Sequence, residues 1–400
     1  MYNVLHPLLR VGSGLIGLLL LLAFLRSVLQ VAVVNRQRGD WLSRHVGRSV
    51  YVVLARRAVT RQSYADVQDV LSWVLPLYIL LLIGVWFGIV QAGFSLLIWS
   101  SQAEPSLLQA VIASGSALST LGFLTPQNTA GQLLAILEGA TGLGVVVFYF
   151  TFIPGYQTTI QLRQAKVAWL YARASGGLTN FTLVEWFLLC GSGDWNELWE
   201  DWESWFRNIA ETHALAPILA FVPTVQRGQT WLATAAVVLD SVSFYLSTFE
   251  ARGTAAAAVC HRTVVDALRM IAAELANRRG VPEARRGQHL TRADFDTACE
   301  RLTALGAGLK AERDASWGRF VELRAEYETS LSELAERLLV PAHGSLLLPI
   351  TAADEIISRP MPNALANAAS APPTACRRAP DTGHILARQP AEDPFNGRHH

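Results

Sequence analysis

Residues 113–126 read Ala-Ser-Gly-Ser-Ala-Leu-Ser-Thr-Leu-Gly-Phe-Leu-Thr-Pro and separate two strongly apolar runs, 70–98 and 133–153. The stretch is too short and too polar to cross a bilayer, which takes about 20 apolar residues in a helix. Ahead of it, Pro105 suits the first turn of a helix. Leu107, Leu108, Val111, Ile112 and Leu118 then recur at helical spacing. That pattern predicts a helix of about fifteen residues ending at Ser119, roughly 22 Å long and so half a span. An ordinary extracellular loop with a glycine turn fits these residues. So does a re-entrant loop, in which the half-length helix is followed by a tight Thr120-Leu121-Gly122-Phe123 segment. Irregular backbone at membrane depth is tolerated only where protein buries it or water lines it. The re-entrant form therefore needs several copies sharing one axis.

The flanking sequence decides between them. The chain is 51% hydrophobic and only 16% charged over 400 residues, with a mean hydropathy of +0.28, too apolar for an ordinary soluble enzyme. A first apolar run covers 11–34, and it lacks a small-residue cleavage site, so it is expected to be a retained anchor rather than a signal peptide. Runs 70–98 and 133–153 supply two more spans. Between the first two lie Arg36, Arg38, Arg44, Arg48, Arg56, Arg57 and Arg61, and after the third come Arg163, Lys166 and Arg173. The segment between the second and third carries no Lys or Arg. Short basic loops stay in the cytoplasm. The expected topology is multi-pass in the cell's inner (plasma) membrane, with the amino terminus and the loop outside and the carboxyl-terminal half cytoplasmic. Residues 42–59 mix arginines with apolar residues, as an interfacial amphipathic helix or a helix packed on the cytoplasmic region would.

In the re-entrant form, the carboxyl end of the half-length helix brings partial negative charge toward the bilayer centre, where it favours a cation. Carbonyls of Thr120, Leu121 and Gly122, with the Thr120 hydroxyl, would replace an ion's hydration shell. Gly122 fits because alternate carbonyls face one axis only if some residue takes a positive φ. Glu138, about one turn into the third span, is an intramembrane ionisable residue and a functional candidate on that ground. It would brace the loop through Ser116 or Ser119, or sit at headgroup level. Gly139, Gly142 and Gly144 are either hinge positions or tight-packing positions.

This order of elements resembles the pore module of the two-transmembrane potassium-channel superfamily: span, half-helix, Thr-Leu-Gly-Phe, an exit through Thr125-Pro126, then a glycine-punctuated span. The family's filter reads Thr-Val-Gly-Tyr-Gly-Asp with a proline a few residues later. Thr120, Leu121, Gly122 and Phe123 match its first four positions, over a module of about a quarter of the chain. Gly131 and the Gly139, Gly142, Gly144 set resemble the glycines that open and pack the family's inner helix. The resemblance implies a homotetramer, a permeating monovalent cation such as K+ and no cofactor. The second filter glycine and its following acid are absent, because Phe123 runs straight into Leu124-Thr125-Pro126. That departure leaves room for a weakly selective pore, or for a membrane-anchored helical scaffold or signalling subunit whose loop does not conduct.

From about 164 the chain reads as helices. Trp195, Trp199, Trp202, Phe206 and Ile209 share one face, with Asp194 placed to cap. Residues 229–249, whose one charge is Asp240, are expected to form a buried core helix rather than a fourth span, with Asp240 capped or solvated. A local likeness to the cytoplasmic helical region of bacterial channel-like proteins runs from His213 to Asp240. Residues 293–340 carry a three- and four-residue leucine and aromatic pattern that predicts a helical hairpin or short coiled coil. Cys190, Cys260, Cys299 and Cys376 are scattered without metal spacing, and Cys260-His261 has no second pair beside it. The net charge of +1 argues against a nucleic-acid partner; the expected partners are the bilayer and further copies of the chain, with any cytoplasmic ligand unknown.

The expected fold is an all-α membrane protein of three transmembrane helices, a re-entrant helix and loop, and a cytoplasmic helical domain. Its divisions are 1–69 (anchor and basic linker), 70–160 (pore module), 161–340 (cytoplasmic helices) and 341–400 (disordered tail). For want of a clustered nucleophile, base or metal set, an enzyme is not expected.

Overall fold

A computed structural model describes residues 2–32, 40–174, 178–190, 194–250, 254–276 and 291–340. All of them fall within one compact unit, Met1–Asp354; the expected tail, 341–400, lies outside the described residues. The first six helices are α1 (Tyr2–Ala32), α2 (Trp41–Ala58), α3 (Tyr64–Leu71), α4 (Val74–Ser100), α5 (Leu107–Leu118) and α6 (Thr129–Arg173). Then follow α7 (Thr182–Cys190), α8 (Trp195–Leu215), a 3-10 turn (Pro217–Phe221), α9 (Trp231–Thr248) and α10 (Thr254–Ala276). Helices α11 (Arg292–Ala304), α12 (Arg313–Ala325) and α13 (Glu328–Leu338) complete the described order.

Among the described residues, four stretches are long and apolar enough to cross a membrane: Leu8–Val31, Tyr64–Ser100, Thr129–Arg173 and Trp231–Thr248. The chain is therefore an all-helical protein with the make-up of a multi-pass membrane protein. The four differ in surroundings. In the first three, 17%, 28% and 17% of the most apolar window is buried against the rest of the chain, and in the fourth 94%.

Helices α1 and α4 run antiparallel in close contact. A β-carbon on Gly17 would stand 2.7 Å from the Gly93 carbonyl oxygen, and one on Gly93 2.8 Å from Leu21 Cδ2. Small residues at such crossings are how helices pack where lipid removes the hydrophobic drive. Further along the pair, Trp86 Nε1 donates to Ser27 Oγ at 3.1 Å, and Ser27 donates to Asp40 Oδ2 at 2.7 Å. Asp40 in turn caps α2 through the Ser43 N–H at 2.9 Å.

Helix α2 buries Gly47, Val50, Tyr51, Leu54, Ala55 and Ala58 along one face. Tyr51 lies on Phe221 with ring centroids 3.9 Å apart, and its hydroxyl donates to the Arg337 carbonyl. The helix is thus packed on the helical region, with Arg44, Arg56 and Arg57 on its exposed face. Helix α6 has 45 residues and would be about 67 Å long if straight, so it outruns a bilayer core of about 30 Å. The expected boundary at 160 falls inside it. Just past that point Arg163, buried at 4% exposure, donates to the carbonyls of Leu219 at 2.8 Å and Val222 at 2.6 Å. A cation there meets the orphan carbonyls that end the 3-10 turn.

Helix α9 forms the centre of the helical region, and nearly all of its residues are buried. Phe244 stands 4.6 Å from Phe181 and 5.2 Å from Phe295, ring centre to ring centre. The aromatic face of α8 is core, with Trp199, Trp202 and Phe206 fully enclosed, and Asp194 caps that helix through the Asn196 N–H at 3.1 Å. Two expectations are corrected. Asp240 is neither capped nor solvated: it is 2% exposed, and it accepts from Asn180 Nδ2 at 2.5 Å and from the Tyr327 hydroxyl at 2.6 Å. Residues 293–340 form no hairpin or coiled coil but three helices folded onto the core. Gly306, at φ +87, ends α11 in a left-handed turn, with the Gly306 N–H on Thr303 O and the Ala307 N–H on Leu302 O. The linker then pairs with the end of α9 through Lys310 N–H to Thr248 O at 2.8 Å.

Candidate functional site

Helix α5 is shorter than its sequence pattern predicts, at 12 residues. Ser106, not Pro105, sets its start by accepting from the Gln109 N–H at 3.2 Å. It lies in the groove between α4 and α6. Ser114 Oγ is 3.1 Å from the Gln91 carbonyl oxygen on α4 and 2.5 Å from Glu138 Oε1 on α6. Gln91 is nine residues before the end of α4 and Glu138 nine residues after the start of α6. Both therefore sit about 14 Å along their helices from that end, close to half the thickness of a hydrocarbon core of about 30 Å. The chain runs along this groove on α5 and comes back to the end of α4, where Asn128 Nδ2 donates to the Ser101 carbonyl at 2.8 Å.

Beyond α5 the backbone turns sharply. Thr120 has φ 59 and Gly122 φ 66, with no positive φ at Leu121 between them. Left-handed backbone at two alternate residues turns successive peptide groups in a way a strand or helix does not. Gly122 was legible as such a position; Thr120, a β-branched residue, was not. The Gly122 N–H bonds to Ser116 O at 3.1 Å, and the Leu124 N–H to Ser116 Oγ at 3.0 Å. Ser116 thus holds both limbs of the turn. Ser119 instead donates to Gly115 O at 2.6 Å, bonding back into its own helix. The side chains of Leu121 and Phe123 stand 72% and 66% exposed.

Glu138 is fully buried. Its partner is Ser114, not Ser116 or Ser119 as the sequence pattern suggests, and among the described residues its Oε2 has no hydrogen-bond partner. The reason is geometric. Which serine meets the acid depends on the relative offset of α5 and α6, which no local periodicity encodes. The three glycines separate into two kinds. A β-carbon on Gly139 would stand 3.3 Å from Ala117 O and one on Gly142 2.9 Å from Leu118 Cδ1, whereas Gly144 has open space around it. Gly139 and Gly142 therefore let α6 approach the end of α5. Gly131 is tighter still: a β-carbon there would lie 2.4 Å from Ala103 Cβ and 2.6 Å from Pro126 Cβ. Helix α6 runs on through Gly144 to Pro154, whose missing N–H removes one bond of its ladder.

Among the described residues no cluster of three or more His, Cys, Asp or Glu could hold a metal ion. Cys260 and His261 are both buried; burial raises the Cys260 thiol well above its usual value and lowers that of His261. His213, fully enclosed on α8, is pushed down to about 3 by burial and by the neighbouring Arg163 charge. It is neutral, with Nδ1 donating to Ile209 O at 2.8 Å.

The fold defines a class: an all-helical protein with several helices suited to crossing a membrane and a half-length apolar helix between two of them. Comparison with family models, with curated proteins and with solved structures finds no match for the chain.

Proposed function

We propose that the chain is the pore-forming subunit of a tetrameric channel for monovalent cations, potassium among them, conducting past the Thr120–Gly122 carbonyls. The observation that supports this reading is the turn after α5: α5 packs between α4 and α6, Thr120 and Gly122 take left-handed backbone, and Leu121 and Phe123 are exposed. Three spans, α1, α4 and the first half of α6, accord with the distribution of lysine and arginine, with the amino terminus and the loop outside. Helix α9 then serves as the core of a cytoplasmic domain. Four copies around one axis would cover Leu121 and Phe123 and turn the loop carbonyls toward a shared path, where they would replace water around the ion. The α5 carboxyl ends would add partial negative charge below it.

The arrangement gives the inner helix a direct mechanical link. Arg163, on the same helix as Glu138, is clamped to the 3-10 turn, so movement of the helical domain reaches α6 without an intervening loop. The absence of a second glycine favours weak selectivity over strict potassium selectivity. The same feature supports the second reading, a scaffold with a non-conducting loop, because Leu124 is tied back to Ser116 immediately after Phe123. Flux measurements on the purified protein in liposomes separate the two. Wild type is expected to pass potassium and Gly122→Ala to lose the flux, since a left-handed non-glycine residue costs about 1–2 kcal/mol. No flux from wild type, or equal flux from both, would refute conduction through this loop.

A further inference from the structure

A groove of about 460 Å³ opens where the end of α2, α3 and the first turn of α4 meet, and it lies apart from the loop. Arg57 and Arg61 line one side, both exposed, and neither forms an ion pair among the described residues. Asp66 and Asp69 line the other. Asp69 is occupied by Arg227 Nη2 at 2.7 Å, which leaves two cations facing one acid. The floor is apolar: Trp73, 60% exposed, immediately precedes α4, and Leu77 follows one turn later. Past them the exposed side of α4 continues apolar, with Leu80 at 65% and Leu81 at 48% exposure. The groove therefore combines two free guanidinium groups with an apolar strip leading into a span. Tryptophan at the foot of a span marks the membrane–water boundary, and basic pockets at that level on the cytoplasmic side accept lipid headgroups.

We infer that this groove binds the headgroup of an anionic glycerophospholipid. The phosphodiester sits between Arg57 and Arg61, whose fork of N–H donors matches its oxygens. A headgroup hydroxyl donates to Asp66, and the acyl stems run along Trp73 and Leu77 onto α4. The continuity of charge with apolar surface favours a membrane lipid over a soluble phosphate. The inference rests on α4 crossing the membrane and not on ion conduction, so it stands or falls separately from the channel.

The test is native mass spectrometry of the full-length protein in detergent, with phosphatidylglycerol or phosphatidylcholine of the same acyl chains added at equal concentration. Phosphatidylglycerol is expected to be retained in preference to phosphatidylcholine. The double variant Arg57→Ala/Arg61→Ala is expected to weaken phosphatidylglycerol binding roughly thirty-fold, at about five-fold for each arginine near a membrane surface. Its melting curve should match wild type, because both side chains are exposed. Arg61→Gln alone, just beyond the end of α2, gives an independent reading with about a five-fold loss. Unchanged phosphatidylglycerol binding in the double variant or in Arg61→Gln would overturn the assignment. So would equal retention of phosphatidylcholine. Inorganic phosphate displacing the lipid at equal concentration would assign the groove to a soluble anion instead.

Discussion

Around α9 the large side chains meet their neighbours within one chain, and the polar side chains of α9 itself find partners there. Phe181, Phe244, Phe295 and Phe320 close on one another, and Asp240 accepts from Asn180 and Tyr327. At 120–123 the opposite holds: the turn is tied from behind by Ser116, while Leu121 and Phe123 point away from the rest of the chain. Both regions are built on apolar helices of similar composition. What differs is where the complement comes from. The core is finished by its own sequence, whereas the loop is shaped by its own sequence and covered, on our proposal, by other copies.

The most damaging change to the core side of that contrast is Asp240→Ala. It would leave the Asn180 amide and the Tyr327 hydroxyl buried without their acceptor, at a cost of about 3–5 kcal/mol. A large drop in melting temperature is expected, and a melting curve like wild type would mean the network is not what holds α9 to α13. Arg163→Ala removes both bonds to the 3-10 turn, at about 2–4 kcal/mol for two charged hydrogen bonds. If that clamp transmits motion, the variant should also alter flux while Gly122 stays intact.

His213 gives a pH handle on the same junction. Its folded value is depressed to about 3 against about 6.5 when unfolded, so the unfolded chain binds the extra proton first. Stability is then fully present above pH ~6.5 and falls as pH drops toward ~3, by at most about 1.4 kcal/mol per unit. Melting temperature measured from pH 7.5 to 4.5 should decline more steeply in wild type than in His213→Gln; parallel curves would remove His213 from the account. On the loop side, Ser114→Ala takes away the hydroxyl that Glu138 meets, with an expected loss of about 1–2 kcal/mol and a changed flux. The smallest stability effect is expected from Phe123→Ser. An exposed substitution of this kind stays within about 0.5 kcal/mol in the isolated chain, yet on our proposal it disrupts assembly.

Much of this was legible from local pattern. The long apolar runs, the buried helix at 231–248, the aromatic face of α8 and its Asp194 cap all follow from periodicity and end signals. Gly122 stood out because a left-handed turn favours glycine. Other features depended on relations between distant elements. Ser114 meets Glu138 through the offset of α5 against α6, and Asp240 finds Tyr327 across 87 positions of sequence. The leucine pattern of 293–340 reads as continuous, yet Gly306 breaks it, because a glycine just past a helix end is a turn signal. The groove at Arg57 and Arg61 needed α2 and α3 to be folded together before its charges could be weighed.

The mass of the purified, detergent-solubilised protein tests most directly whether the loop is completed by other copies. Four copies of a 43.7 kDa chain predict a single species of about 175 kDa with closed four-fold symmetry. The Phe123→Ser variant should shift it toward smaller species. A wild-type protein that stays monomeric or dimeric would contradict the account.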